Sequence, residues 1–180
     1  MRNSITTSIS IVAIMWLVFV FNQIVAMDLN QYGIIPRKIE GLKGILFAPF
    51  LHGNLTHIIS NTIPMLVLTT VLFWFYRRIA WPVLIISILL GGGLVWIFGR
   101  HAYHIGASGV VFALVGFLVA SGIFRRNFKA LLLAIVIFFL YGGVVWGILP
   151  TQPGVSWESH LFGFLTGILL AYVYRDTGRK

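Results

Sequence analysis

The sequence has no cysteine, only four acidic residues in 180, and little charge of any kind, 9% in all. Without cysteine there is no disulfide framework and no thiolate metal site. A soluble domain carries about 25% charged residues, so the low charge argues against one. No His-Glu-x-x-His run occurs, which leaves a zinc metalloprotease without ligands. No aspartate falls within a hydrophobic segment, so the carboxylate pair of an aspartyl intramembrane protease is missing as well. What is abundant is apolar residues, 59% of the chain. The composition is that of an all-α, polytopic membrane protein, and at this length residues 1–180 read as a single domain.

Six hydrophobic segments are present, at about 7–27, 57–76, 79–99, 105–124, 130–149 and 155–174, each near the roughly 20 residues that carry a helix across a ~30 Å hydrocarbon core. The first is long for a signal peptide, and no small-x-small cleavage site follows it, so it reads as a span. Nine of the thirteen Lys and Arg fall on one side of this layout: Arg2, Arg77, Arg78, Arg125, Arg126, Lys129, Arg175, Arg179 and Lys180. Arg37, Lys38, Lys43 and Arg100 fall on the other, partly offset by Asp28 and Glu40. The positive-inside rule then places both termini in the cytoplasm, with the plasma (inner) membrane as the expected location. The formal charge of +9 is thereby a topology signal, and a nucleic-acid partner is set aside. The 28–56 linker faces outward and is rich in apolar residues, so part of it is expected in the membrane under a cover of protein.

Polar residues share one depth. Spans two, four and six all run inward. Counting about 1.5 Å per residue from each cytoplasmic basic cluster, Asn61 lies roughly 6 Å below His57, while Ser108 lies roughly 4–5 Å and His160 roughly 7–8 Å below the outer end of its span. A histidine within a span is costly and by default marks function. A hydroxyl becomes a nucleophile when a nearby base takes its proton, and His160 reaches Ser108 only if spans four and six touch. Gly163 and Gly167 on span six, with Gly106, Gly109 and Gly116 on span four, give the small surfaces that let helices approach closely. Packing alone would also account for them. Glu158, two residues before His160, falls on the opposite helix face, which leaves a Ser–His dyad as a variant of the triad. His57 and Asn61, at i and i+4, share a face. Together with the Ser108 backbone amide, free in the first turn of its helix, they are candidate donors to an oxyanion. An interhelical hydrogen bond would equally explain Asn61. His52, His101 and His104 read as interfacial loop histidines.

At this point the sequence resembles the rhomboid intramembrane serine proteases. GASG at 106–109 matches the family's GxSG, HGNLTHIISN at 52–61 its second-span His and Asn pattern, and HLFGFLTG at 160–167 its HxxGxxxG. The resemblance implies a six-transmembrane-helix bundle, with Ser108 at the top of a short fourth helix in a water-filled cavity. It implies Ser108 as nucleophile, His160 as general base and acid, and His57 and Asn61 as oxyanion donors. It implies no cofactor or metal, and transmembrane proteins in the lipid bilayer as substrates. Two departures stand out. The family's first outer loop often carries Trp-Arg where this chain has Lys43-Gly44. The aromatic residue four after the serine, often a tyrosine packed on the catalytic histidine, is here Phe112. Two rival classes remain. A non-catalytic rhomboid-like protein that binds or escorts membrane clients would keep the fold and the glycines without needing Ser108 and His160 together. A transporter would show paired broken helices, which are absent from the sequence pattern.

Overall fold

The computed structural model describes residues 2–25, 28–150 and 154–177. Arg179 and Lys180 of the last basic cluster lie outside the described residues, as does the side chain of Arg2. In chain order the helices are α1 (Arg2–Ile24), α2 (Gly44–Phe47), α3 (Leu55–Phe75), α4 (Ala80–Phe98), α5 (Ser108–Phe124), α6 (Phe128–Tyr141) and α7 (Trp157–Val173). The described residues form an all-α protein. Extended pairing among them is limited to one isolated bridge, Ile34 with His104.

Three helices are long and apolar enough to cross a membrane: 22 residues of α1 from Asn3 to Ile24, the 21 of α3 and the 19 of α4. Apart from the four-residue α2, the rest are shorter than the hydrophobic segments they match, and α6 begins two residues before its segment and ends well short of 149. α5 has 17 residues, α6 has 14 and α7 has 17; at 1.5 Å each, 17 residues give about 26 Å. The causes are local. Gly106 sits at φ +107, a conformation that suits glycine and cannot continue a helix, so α5 begins at Ser108 and not at Ile105. Past Tyr141 the chain tightens into a 3₁₀ stretch, Gly142–Ile148, although its sequence stays apolar. Ser156 caps α7 by accepting from the Ser159 N–H at 3.3 Å, which fixes its first turn at Trp157.

α5 is the central element. Val110 to Leu118 are buried without a break, and a helix apolar all round belongs inside the protein. It packs most closely on α7, then on α6, α4 and α3. Glycines set the α5–α7 distance: a Cβ on Gly163 would strike the Gly109 carbonyl, and one on Gly167 the Ala113 carbonyl. The surrounding helices turn large side chains outward, among them Leu17, Ile63, Leu89, Phe139 and Leu169, as lipid-facing surfaces do. Loop 28–54 is half covered. Ile34, Ala48 and Leu51 are buried, with Ile34 and Ala48 in a small cluster with Val95 of α4, while Ile39, Leu46 and Phe47 stay exposed.

Candidate active site

The close α5–α7 contact brings two rare polar side chains together. Ser108 opens α5 and His160 lies in the first turns of α7. The His160 Nε2 to Ser108 Oγ distance is 2.9 Å. On the far side of the ring, Nδ1 lies 2.8 Å from the Gly147 carbonyl oxygen. A carbonyl only accepts, so Nδ1 carries the proton and Nε2 is left as the acceptor for the serine hydroxyl. Phe112 stacks flat on the imidazole, with centroids 4.0 Å apart and planes within 6°. The ring is thus held on one face and at both nitrogens. Gly147 has to be small here, because a Cβ would come within 2.9 Å of Phe112 and 3.2 Å of His160 Nδ1.

His57 and Asn61 stand on the facing helix, α3. Asn54 caps α3 by accepting from the His57 N–H at 2.8 Å, which sets the register of both side chains. Asn61 is buried and donates one amide hydrogen to the His57 carbonyl at 3.1 Å, which leaves its second amide hydrogen available. Gly106 makes room for His57: a Cβ there would run into the imidazole Nε2. The glycine placed by the sequence in helix packing therefore does a different job, while Gly109, Gly163 and Gly167 pack α5 on α7. As the first helical residue, Ser108 has an N–H with no intrahelical acceptor. A cavity of about 770 Å³ opens over this group, and His57, Asn61, Ser108, Gly147, His160 and Tyr103 line it.

Two expectations about the other histidines change. His52 and His104 do lie in loops, but inside the protein and not on its surface, each 1% exposed. Burial first, and then the nearby His57, push the His52 pKa down to about 4. Burial likewise lowers that of His104. His101 is exposed, in the loop between α4 and α5. Glu158, read as facing away from His160, does so: buried at 2%, it receives the Arg100 N–H at 3.3 Å and pairs with the Arg100 guanidinium at 3.5 Å. The sequence reading missed the Gly147 carbonyl, because a main-chain oxygen leaves no residue signature. A lone carboxylate at the head of an apolar segment was a signal for a buried ion pair.

A bundle of apolar helices around a buried central helix, opened at one end by a polar cavity, defines an integral membrane protein. The chain belongs to the rhomboid family: the family's rhomboid domain model matches residues 40–177. It is 38% identical over 185 residues to an uncharacterized protein of Mycobacterium tuberculosis (strain ATCC 25618 / H37Rv), over 97% of this chain and 77% of that one. It is 28% identical over 143 residues to RHOMBOID-like protein 4 of Arabidopsis thaliana, over 77% of this chain and 36% of that protein. With Rhomboid-related protein 1 of Caenorhabditis elegans the identity is 29% over 134 residues, covering 69% and 37%.

Proposed function

We propose that this protein is an intramembrane serine endopeptidase that hydrolyses peptide bonds in or near the transmembrane segments of other membrane proteins. The observation that carries this reading is the chain of contacts Ser108–His160–Gly147, with 2.9 Å and 2.8 Å links. Ser108 Oγ attacks the scissile carbonyl carbon as its proton passes to His160 Nε2. The negative charge that develops on the carbonyl oxygen is met by the Ser108 amide, Asn61 and His57. Such preorganised donors, aimed at the place where charge develops, stabilise the transition state strongly. The imidazolium then gives its proton to the leaving amine, and the peptide C–N bond breaks. Water enters the cavity and attacks the acyl-serine by the same steps in reverse. The Gly147 carbonyl holds the tautomer, as the acid does in a triad, without adding a charge to the membrane interior.

In this reading α1, α3, α4, α5, α6 and α7 all cross the bilayer, with both termini in the cytoplasm. Short α5 then leaves Ser108 below the outer surface, under a cavity open to water. A substrate bond within a helix is shielded by its own hydrogen bonds, so small or helix-breaking residues favour cleavage. The test uses purified protein in detergent with a single-span substrate. Wild type should cleave it and take up a fluorophosphonate at Ser108, and Ser108→Ala and His160→Ala should each abolish cleavage. Full cleavage by Ser108→Ala would refute the mechanism. If a folded wild type neither cleaves nor labels, the protein binds clients without catalysis.

A further inference from the structure

Beside the cavity, a second polar group joins three parts of the chain at His104. Its backbone pairs with Ile34 of loop 28–54, N to O at 2.9 Å and O to N at 3.0 Å. Its Nε2 lies 3.0 Å from the Arg100 carbonyl in its own loop, and its Nδ1 lies 2.5 Å from Ser156 Oγ at the cap of α7. The carbonyl accepts only, so Nε2 carries the proton and Nδ1 accepts from the Ser156 hydroxyl. Ser156 Oγ lies 2.7 Å from Ser159 Oγ, and Ser159 precedes His160. Parallel to this chain runs the Arg100–Glu158 pair, and the Arg100 guanidinium also donates to the Val155 carbonyl at 2.6 Å. The loop that ends at Ser108 is thus fastened twice to the segment that leads into His160. Val155 and Ser156, on which the two fastenings end, line the same cavity as Ser108.

We propose that His104 is a positioning residue: its Nδ1 bond to Ser156 fixes the start of α7 against the start of α5, and so sets the Ser108–His160 separation. The Arg100–Glu158 pair holds the same joint from the next turn. His104 is four residues from Ser108 and Ser156 four from His160, so any slack at the joint passes directly to the reacting pair. A reacting group displaced by 1 Å typically costs about a hundredfold in rate. Glycine contacts between α5 and α7, from Gly109 against Ser159 down to Gly167 against Ala113, fix their spacing, and a spacing contact offers little resistance to sliding along the helix axes. The His104–Ser156 bond opposes that sliding, together with the Arg100 contacts to Glu158 and Val155. The bridge to Ile34 ties loop 28–54 to the same point, so that loop is expected to influence reactivity without contributing a reacting group.

The inference rests on the Ser108–His160 reading and is tested by replacing one ring nitrogen at a time. Asparagine presents its amide where Nδ1 stood, and glutamine presents its amide where Nε2 stood. His104→Asn should keep the Ser156 bond and remain within about threefold of wild type in fluorophosphonate labelling and in kcat, whereas His104→Gln and His104→Ala should fall about tenfold to a hundredfold in both, with KM unchanged. Melting temperatures identify any variant that has lost its fold. Hydrogen exchange of residues 104–110 and 156–161 should rise together in His104→Ala and stay low in His104→Asn; this arm holds even for a protein without activity. If His104→Gln and His104→Asn match in rate, or if exchange rises in one segment alone, His104 does not position the pair. If wild type itself is inert while exchange behaves as stated, the joint stands and the protease reading falls.

Discussion

At the residue scale, rarity made the site legible. Ser108, His57, Asn61 and His160 are polar side chains in segments that can least accommodate them, and that contrast is visible without coordinates. The partners of these groups were not visible: Gly147 acts through its backbone, and His104 and His52 looked like interfacial loop residues. The roles can be separated by kinetics. In the proposed mechanism Ser108 and His160 act as one unit, so losing either should cost as much as losing both. In the same proposed mechanism Asn61 and His57 meet a charge that exists only in the transition state. Asn61→Ala and His57→Ala should each lower kcat by about 10²–10³ with KM little changed. A folded Asn61→Ala with full kcat and a lower melting temperature would make Asn61 a packing residue, consistent with its bond to the His57 carbonyl. His52 makes a prediction in pH. Its pKa of about 4 in the fold lies below the ordinary 6.5, so on acidification the unfolded chain takes up a proton before the folded one does. The stability this neutral histidine contributes is full above the ordinary value and is lost as pH falls towards 4. In thermal melts at pH 7.5 and pH 4.5, wild type should lose more stability on acidification than His52→Gln; equal losses would show that His52 is not the group responsible.

At the element scale, hydropathy located every long helix but misplaced several ends: α1 runs from Arg2 to Ile24 and not over 7–27, α5 begins at Ser108 and not at 105, and α6 stops at Tyr141 and not at 149. Apolar sequence continues through Ile105 and through Val144–Leu149, because hydropathy reports burial and says nothing of backbone form. Where a capping side chain starts a helix, as Asn54 does for α3 and Ser156 for α7, the boundary has a residue behind it. The α5–α7 contact was legible from its glycines, and it gives a sharp comparison within one protein. A methyl on Gly163 has to push the Gly109 carbonyl, whereas a Cβ on Gly93 of α4 meets nothing within 4 Å. Gly163→Ala should therefore destabilise by about 1–3 kcal/mol, the usual cost of overpacking, and should separate Ser108 from His160 enough to remove most activity. Gly93→Ala should leave both melting temperature and cleavage near wild type. Equal behaviour of the two variants in melts and cleavage assays would mean that close approach of α5 and α7 does not control the site.

At the scale of the whole molecule, charge and packing bear on the same question from different directions. Basic residues collect in the α3–α4 and α5–α6 linkers and after α7, at the end of the bundle away from Ser108. There Arg125 donates to the Thr177 and Tyr174 carbonyls at 2.8 and 2.9 Å, closing the far end of α5 on that of α7. Loop 28–54, the 99–107 loop and the cavity gather at the opposite end. Moving a basic cluster across a membrane is costly and short loops follow that cost, so the end that carries Arg77, Arg78, Arg125, Arg126 and Lys129 should be cytoplasmic and the cavity should face out. The lack of cysteine makes this directly measurable, since a single introduced thiol has no background. Gln31→Cys marks the cavity end and Asp176→Cys the other, and both positions are exposed. In right-side-out membrane vesicles a membrane-impermeant maleimide should label Gln31→Cys at once, and Asp176→Cys only after the vesicles are opened. If both label from outside, or both need opening, the number of crossings between them is even and the six-span arrangement is wrong. If the order is reversed, the crossings stand but the cavity opens to the cytoplasm, and substrates must be sought whose cleavable ends lie on that side.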